Sequence, residues 1–263
     1  MPCFLPFLCV QAISAVIITY NEAQVLPKTL QALTFCDEIV VVDSGSTDGT
    51  VELSTGAGAK VIHEPFRGFG KQKQLATSLA KNHWILSIDA DEVVSDELRK
   101  SIEHVMRVSP SHHAYTLRRT LVFLGKEFKH GRESREAQVR LFDRRKAGFN
   151  DAEVHEKVIY KGKAPMLEGV LRHYSYRNLG QYIEKLDKYT GKAAMEMYGR
   201  GKRRATWILI LSFPFYLFKN LILQGNWMNG YAGWLWALLS SVYPIIKYSR
   251  LMELHGQSDA GGS

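Results

Sequence analysis

The sequence predicts an α/β fold: a mostly parallel, Rossmann-like sheet flanked by helices, followed by a C-terminal helical, membrane-associated region. Three observations predict it. Apolar, β-branched runs alternate with helical patterns through roughly the first hundred residues. Three of those runs lead into or adjoin polar turns rich in Asp, Asn or Gly. Near the C-terminus the chain becomes aromatic and apolar, with no charged residue from Asn220 to Ile246.

The elements follow in order. AISAVIIT (12–19) is almost continuously apolar and reads as a strand buried on both faces. TYNEAQVLPKTLQAL then gives a turn and a helix, with Asn21 placed to cap it. EIVVVD (38–43) is the second strand, and in the turn after it Thr47 or Asp48 can cap the helix that starts VELS. AKVIHE (59–64) is the third strand; FRGFGKQKQLATSLAKN supplies a glycine-rich turn and a helix. WILSID (84–89) is the fourth strand, and SDELRKSIEHVMR is a helix capped by Ser95 or Asp96. AYTLRRTLVFLG (114–125) and AQVRLFDR (137–144) are further strands, with the charged KEFKHGRESRE between them as a loop.

The last third is helical. Residues 178–198 read as an amphipathic helix with Leu179, Tyr182, Ile183, Leu186 and Tyr189 on one face. WILILSFPFYLF (207–218) and YAGWLWALLSSVYPII (231–246) are apolar pieces separated by a polar, glycine-containing break. A bilayer span needs about 20 residues. The pieces are therefore expected to lie in a membrane interface, anchored by Trp207, Trp227, Trp234 and Trp236. The organisation is an N-terminal extension (1–12), two halves of one domain (13–110 and 111–175), the helical region (176–250) and a disordered tail (251–263).

Composition narrows the partners. The chain has 263 residues, 46% of them hydrophobic, and a formal charge of +8. Its three cysteines, Cys3, Cys9 and Cys36, form no spaced framework, which fits a reducing compartment. From Lys161 to Arg204, eleven Lys/Arg face four Asp/Glu, immediately before the apolar stretch. Cations beside an apolar segment favour an anionic membrane surface over a specific nucleic-acid partner.

In open parallel sheets ligands gather beyond the C-terminal strand ends. TYNE (19–22), VDSGSTDGT (42–50) and DADE (89–92) all fall there. Asp43 can accept hydrogen bonds from a ribose hydroxyl or a base. Thr47 and Asp48 serve equally as helix caps. Asp89 and Asp91, one residue apart, can point to one side and hold a hard divalent cation, Mg²⁺ or Mn²⁺, shared with substrate phosphates. Glu92 reads as the start of the following helix. Arg67, Lys71 and Lys73 surround two glycines in a turn where they can face phosphate. NDAEVHEKV (150–158) offers Glu156 as first candidate for a general base, Asp151 and Glu153 as reserves, and His155 to orient the base or contact phosphate. Arg140, in an apolar QVRLF run, needs a carboxylate or phosphate partner. The GxxxxGK[ST] pattern, the GxGxxG fingerprint and Cys/His zinc spacings are absent.

AVIITYNE, VVDSGSTDGT and SIDADE, in this order and spacing, resemble the family 2 glycosyltransferases with the GT-A fold. QVRLF, VHEKV, HYSY (173–176), KLDKYTGKAA (185–194) and PFYLFKNLILQGNWMNGYAG resemble the branch that builds the bacterial lipopolysaccharide core. The resemblance implies a UDP-sugar donor and an inverting displacement that moves a hexose to an inner-core heptose. It implies a nucleotide-sugar site of Thr19, Tyr20, Asn21, Glu22, Asp43, Ser44, Lys71, Lys73 and Asp89. Asp91 would ligate the metal, with Asp89 nearer the nucleotide, and the base would lie near Glu156. The acceptor would be a lipid-anchored oligosaccharide at the cytoplasmic side of the inner membrane, where the enzyme is peripheral or partly inserted. A polyprenyl-phosphate acceptor and a non-catalytic binding protein are the alternatives.

Overall fold

The computed structural model describes residues 10–151 and 156–261. They fall in two compact units: residues up to Thr120 with Glu136–Tyr174, and Leu121–Arg135 with Ser175 onward.

In the first unit, β1 (Ile13–Thr19), β2 (Glu38–Asp43), β3 (Lys60–His63) and β4 (Trp84–Asp89) pair in parallel in the order β3-β2-β1-β4. Helices α1 (Leu26–Ala32), α2 (Thr50–Gly56) and α3 (Phe69–Leu79) connect them. The pleat sends alternate side chains of β1 to opposite faces. Ile13, Ala15 and Ile17 pack with Leu26 and Leu30 of α1 and with Leu98, Ile102 and Met106 of α4 (Asp96–Arg107). Val16 packs on the other side with Ala76 and Ala80, at and just beyond the end of α3. Each such fully buried Ile or Leu contributes about 1.5–3 kcal/mol, and a polar residue at Ile17 would forfeit that on the most buried strand.

The rest of this unit is antiparallel. β5 (Glu92–Val94) precedes α4, then come β6 (Ala114–Phe123), β8 (Glu136–Asp143), β9 (Ala147–Phe149), β10 (Val158–Tyr160) and β11 (Leu171–His173). β8 pairs with both β4 and β6, β11 with β5, and β9 with β10. The expected parallel character thus holds for the first four strands, and the sheet as a whole is mixed.

Local chemistry explains where the elements start. Ser95 caps α4, its hydroxyl accepting from Leu98 N at 3.2 Å. Asn21 caps nothing: α1 begins at Leu26, where Pro27 supplies a preset φ at a position needing no N–H. Asn21 instead sits at φ 56° and its Oδ1 accepts from Thr47 N at 2.8 Å. Lys71 and Lys73 lie within α3, not in the turn before it. Glu92 belongs to β5 rather than to a helix start, because its carboxylate is needed inside the sheet.

The second unit holds β7 (Lys126–Glu127), paired with the end of β6, and the helices α5 (Leu179–Gly199), α6 (Thr206–Phe218) and α7 (Tyr231–Gly261). A π-turn continues α6 through Leu223, and a 3₁₀ turn spans Asn226–Asn229. Phe123, Phe128, Tyr182, Leu186 and Ala232 form its core, with Tyr176 and Trp236 packed against them. Residues 121–135 therefore group with the C-terminal helices rather than with the strands around them, since Phe123 and Phe128 are two of the core aromatics.

The buried stripe of α5 is Tyr182, Leu186, Thr190 and Ala194, a strict i,i+4 row. Of the expected face, Tyr182 and Leu186 are buried, whereas Leu179, Ile183 and Tyr189 are exposed. The tail expected to be disordered from residue 251 is helical through Gly261. Leu251 is buried there and Arg250 ion-pairs with Asp187 of α5, which fastens the segment. Thr206–Leu223 is 18 residues long with a mean hydropathy of 1.6, enough to cross a membrane by length and composition. Trp207, Trp227 and Trp234 are at least half exposed, whereas Trp236 sits inside the aromatic core at 5.3 Å from Phe123.

Candidate active site

Register brings the three acidic turns together. Thr19 stands opposite Asp43, and Ile18 opposite Asp89, so the ends of β1, β2 and β4 form one rim. TYNE, DSGSTDG and DADE leave from that rim, as the sequence pattern requires.

The turn after β2 is built on Asp43, which is 1% exposed. Its Oδ2 accepts from Gly45 N and Ser46 N, each at 2.9 Å. Its Oδ1 accepts from Thr19 Oγ1 at 3.0 Å and from the Ser46 hydroxyl. Gly45 allows the tight bend, with φ at 97°. Burial pushes the Asp43 carboxyl upward, but the donors from Ser46, Gly45 and Thr19 outweigh it and hold the group below its usual range. These donors fill about four acceptor directions. A ribose hydroxyl would have to replace one hydroxyl to reach Asp43. The same turn is zipped to TYNE: Asn21 N donates to Ser46 Oγ, Glu22 N to Thr50 Oγ1 and Ala23 N to Asp48 Oδ2. Tyr20 is 60% exposed beside it. Gln72 of α3 is a contributor the sequence did not reveal: its amide donates to Ser44 Oγ at 3.1 Å and to Glu64 O at 3.0 Å.

The turn after β4 is built on cations. Asp89 Oδ2 is 2.7 Å from Arg140 Nη2, and its Oδ1 is 2.9 Å from Lys73 Nζ. Arg140 Nη2 also reaches Glu92 Oε1 at 2.8 Å, and Arg119 approaches the same oxygen at 3.4 Å. Glu92 Oε2 accepts from Asp89 N at 3.0 Å, which closes the turn. Arg140 therefore has the carboxylate partners that its apolar strand position demanded. Burial pushes the Asp89 carboxyl upward, but Arg140 and Lys73 outweigh it and hold it well below the usual carboxylate range. Burial would lower the Arg140 pKa; Asp89 and Glu92 raise it instead. Glu92 is fully buried, and burial pushes its carboxyl up despite Arg140.

Asp91 differs. Its Oδ2 lies 3.2 Å from His173 Nε2, and both side chains are 20% exposed. The antiparallel register of β11 on β5 sets this up: His173 stands opposite Glu92, and Tyr174 N donates to Asp91 O at 2.8 Å. A carboxylate and an imidazole suit Mg²⁺ or Mn²⁺, which takes its other ligands from phosphate and water. Among the described residues no group of three or more His, Cys, Asp or Glu could hold a metal by itself. His173 has no local sequence signal for this role; strand pairing across about 80 residues places it here.

Of the candidate bases, Glu156 Oε1 is 2.6 Å from Lys73 Nζ, so one buried lysine joins Glu156 to Asp89. Asp151 is exposed and accepts from Gln74 Nε2 at 2.8 Å. Glu153 and His155 lie outside the described residues. Lys71 is exposed on the first turn of α3, while Lys73 is 4% exposed.

A family model described as "Glycosyl transferase family 2" matches residues 14–160. The lipopolysaccharide core biosynthesis glycosyltransferase LpsC of Rhizobium meliloti is 30% identical over 250 residues, 92% of this chain and 93% of its own length. An uncharacterised glycosyltransferase of Rickettsia typhi is 28% identical over 257 residues, 92% of this chain and 87% of its own. Among solved structures, glucosyl-3-phosphoglycerate synthase of Mycobacterium tuberculosis is 21% identical, with a TM-score of 0.36 over 43% of this chain and 44% of that one. A likeness of that degree carries no functional argument.

Proposed function

The chain belongs to glycosyl transferase family 2, and from that premise we propose that it is a metal-dependent inverting transferase that moves a hexose, glucose by first choice, from a UDP-sugar to an inner-core heptose of lipopolysaccharide. The observation that carries this reading is the pair Asp91–His173 standing beside a fully neutralised Asp89 at the sheet rim. Asp91 and His173 would hold a divalent cation, which when bound would supply charge neutralisation for the leaving diphosphate. Asp89 takes no part in ligation, because Arg140 and Lys73 engage both its oxygens. Thr19, Tyr20, Asn21, Glu22 and Ser44 line the nucleotide, with Asp43 holding their loops in place. Lys73 orients Glu156. Glu156 takes the proton of the acceptor hydroxyl as that oxygen bonds the anomeric carbon and the carbon–oxygen bond to UDP breaks. Asp151 is the reserve for this role. The full-length similarity to LpsC supports a core-oligosaccharide acceptor at the cytoplasmic face of the inner membrane.

The test is turnover of UDP-sugars on lipopolysaccharide core acceptors with Mn²⁺ or Mg²⁺. Glu156→Gln is expected to lower kcat about 10²–10⁴-fold with KM for the donor nearly unchanged. A Glu156→Gln enzyme with wild-type kcat would hand the base role to Asp151. Absence of any UDP-sugar binding in the presence of metal would end the transferase reading.

A further inference from the structure

Within the second unit, the charged loop between β6 and β8 has a feature that its own sequence does not need. Two asparagines from the apolar segment are buried there: Asn229 bonds the loop's backbone, and Asn226 braces Asn229. Asn229 Oδ1 accepts from Lys129 N at 2.9 Å and His130 N at 3.1 Å, and its Nδ2 donates to His130 O at 3.0 Å. Asn226 Nδ2 donates to Asn220 O at 3.0 Å, and its Oδ1 accepts from Asn229 at 3.3 Å. Gly131, at φ 91°, packs so closely that a Cβ would collide with the Asn226 side-chain oxygen. Burying amides in an otherwise apolar region costs stability unless every group is satisfied. Here the bonds fix Lys129 and His130, and close packing against Asn226 fixes Gly131.

That position is between charge and apolar surface. Lys129, Arg132 and Arg135 are exposed on the loop. The two clamping asparagines bracket Trp227 and Met228, which are 50% and 47% exposed, and Tyr231 and Trp234 follow at 77% and 56%. Along α6 the exposed large apolar residues are Trp207, Ile210, Leu211, Phe215 and Phe218, which share one helical face, with Ile222 and Leu223 exposed beyond it. The opposite face packs on α7, with Ser212 and Leu221 buried. At the N-terminal end of this stripe stand exposed Lys202, Arg203 and Arg204. A one-faced apolar stripe rimmed by cations at both ends matches a helix lying in the plane of an anionic bilayer.

We propose that the Asn226/Asn229-clamped loop is a headgroup-binding collar: Lys129, Arg132 and Arg135 contact anionic phospholipid while Trp227, Met228, Tyr231 and Trp234 enter the interface beside them. This deepens the membrane reading above and rests on it. The aromatic residues supply apolar burial and the loop supplies charge selectivity, so the two contributions separate experimentally.

Purified full-length chain is sedimented with vesicles of phosphatidylcholine alone and of phosphatidylcholine with a quarter phosphatidylglycerol. Wild type is expected to prefer the anionic vesicles, and Lys129→Gln/Arg132→Gln/Arg135→Gln to bind them at least about tenfold more weakly. Its binding to neutral vesicles and its thermal unfolding should match wild type. Gly131→Ala keeps every charge but displaces the clamp, and should also lose anionic preference. A triple variant that binds anionic vesicles like wild type overturns the collar and leaves the membrane reading standing. Wild type that binds neither vesicle overturns both. A wild-type dimer in light scattering that the triple variant dissolves would assign the surface to a second copy and overturn the collar.

Discussion

The turns after β2 and β4 leave adjacent parts of one sheet edge, and each is organised by an aspartate, Asp43 buried and Asp89 partly exposed, yet they are held in opposite ways. Asp43 is surrounded by neutral donors: two backbone N–H groups and two hydroxyls. Asp89 is surrounded by cations, Arg140 and Lys73. Neutral donors fix geometry and leave the negative charge of Asp43 in place. Cations cancel the charge of Asp89 and transmit position instead, from Asp89 to Glu92 through Arg140 and to Glu156 through Lys73. The difference teaches how a chain with formal charge +8 keeps a cluster of acids at its rim. Asp89 and Glu92 of DADE are compensated by arginine and lysine inside the protein. Asp91 meets the His173 imidazole at 3.2 Å.

The largest effect should come from breaking the cationic turn. Arg140→Met removes the shared partner of Asp89 and Glu92 and leaves them with one cation each, Lys73 and the more distant Arg119. Loss of one member of a buried charge group costs about 3–5 kcal/mol. Urea unfolding should show that loss in the midpoint. A shift under about 1 kcal/mol would mean that Lys73 and Arg119 carry the pair without Arg140.

Asp91→Asn sharpens the contrast from the other side. It removes the charge of a partly exposed carboxylate paired with His173, so unfolding should move by less than about 1 kcal/mol. Metal-dependent turnover should fall about 10²–10³-fold, the scale of losing one electrostatic stabiliser of the transition state. His173→Gln should follow in the same direction, and titration of Mn²⁺ in the presence of UDP should weaken for both. A His173→Gln enzyme with unaltered metal dependence would remove that residue from the site.

The strands of the parallel half were legible because their signal is local. EIVVVD and WILSID coincide with β2 and β4 to the residue, and the three rim motifs fall where strand ends must carry them. Ser95 was legible as a cap for the same reason. Glu92 was not, because a carboxylate after a strand looks like a helix start until Arg140 and Arg119, from strands later in the chain, are placed on it. His173 and Gln72 were missed because their partners come from distant segments. The α5 face was legible only in part because a helix with aromatic residues at 182, 189 and 198 offers several apolar arcs, and only contact with Phe123 and Trp236 selects Tyr182.

The smallest effect tests the neutral turn. Thr19→Val keeps the shape of the side chain and removes one donor to Asp43. The net worth of such a bond is about 0.5–1.5 kcal/mol. The sign of its pH dependence follows from the depressed carboxyl of Asp43. A carboxyl held lower in the folded state stabilises the fold fully above its unfolded pKa, about 3.9, and that contribution is lost as pH falls through the folded value. Thr19→Val raises the folded value toward the unfolded one. The gap between variant and wild type should therefore be open at pH 7 and close as the pH falls through the depressed folded value of Asp43. Equal gaps above and below that value would show that Thr19 acts through packing and not through the ionised carboxylate. The donor side gives a second reading of the same variant. If a ribose hydroxyl takes the acceptor direction that Thr19 occupies, the freed oxygen should tighten UDP binding, while the collapse of an unfastened TYNE loop would weaken it.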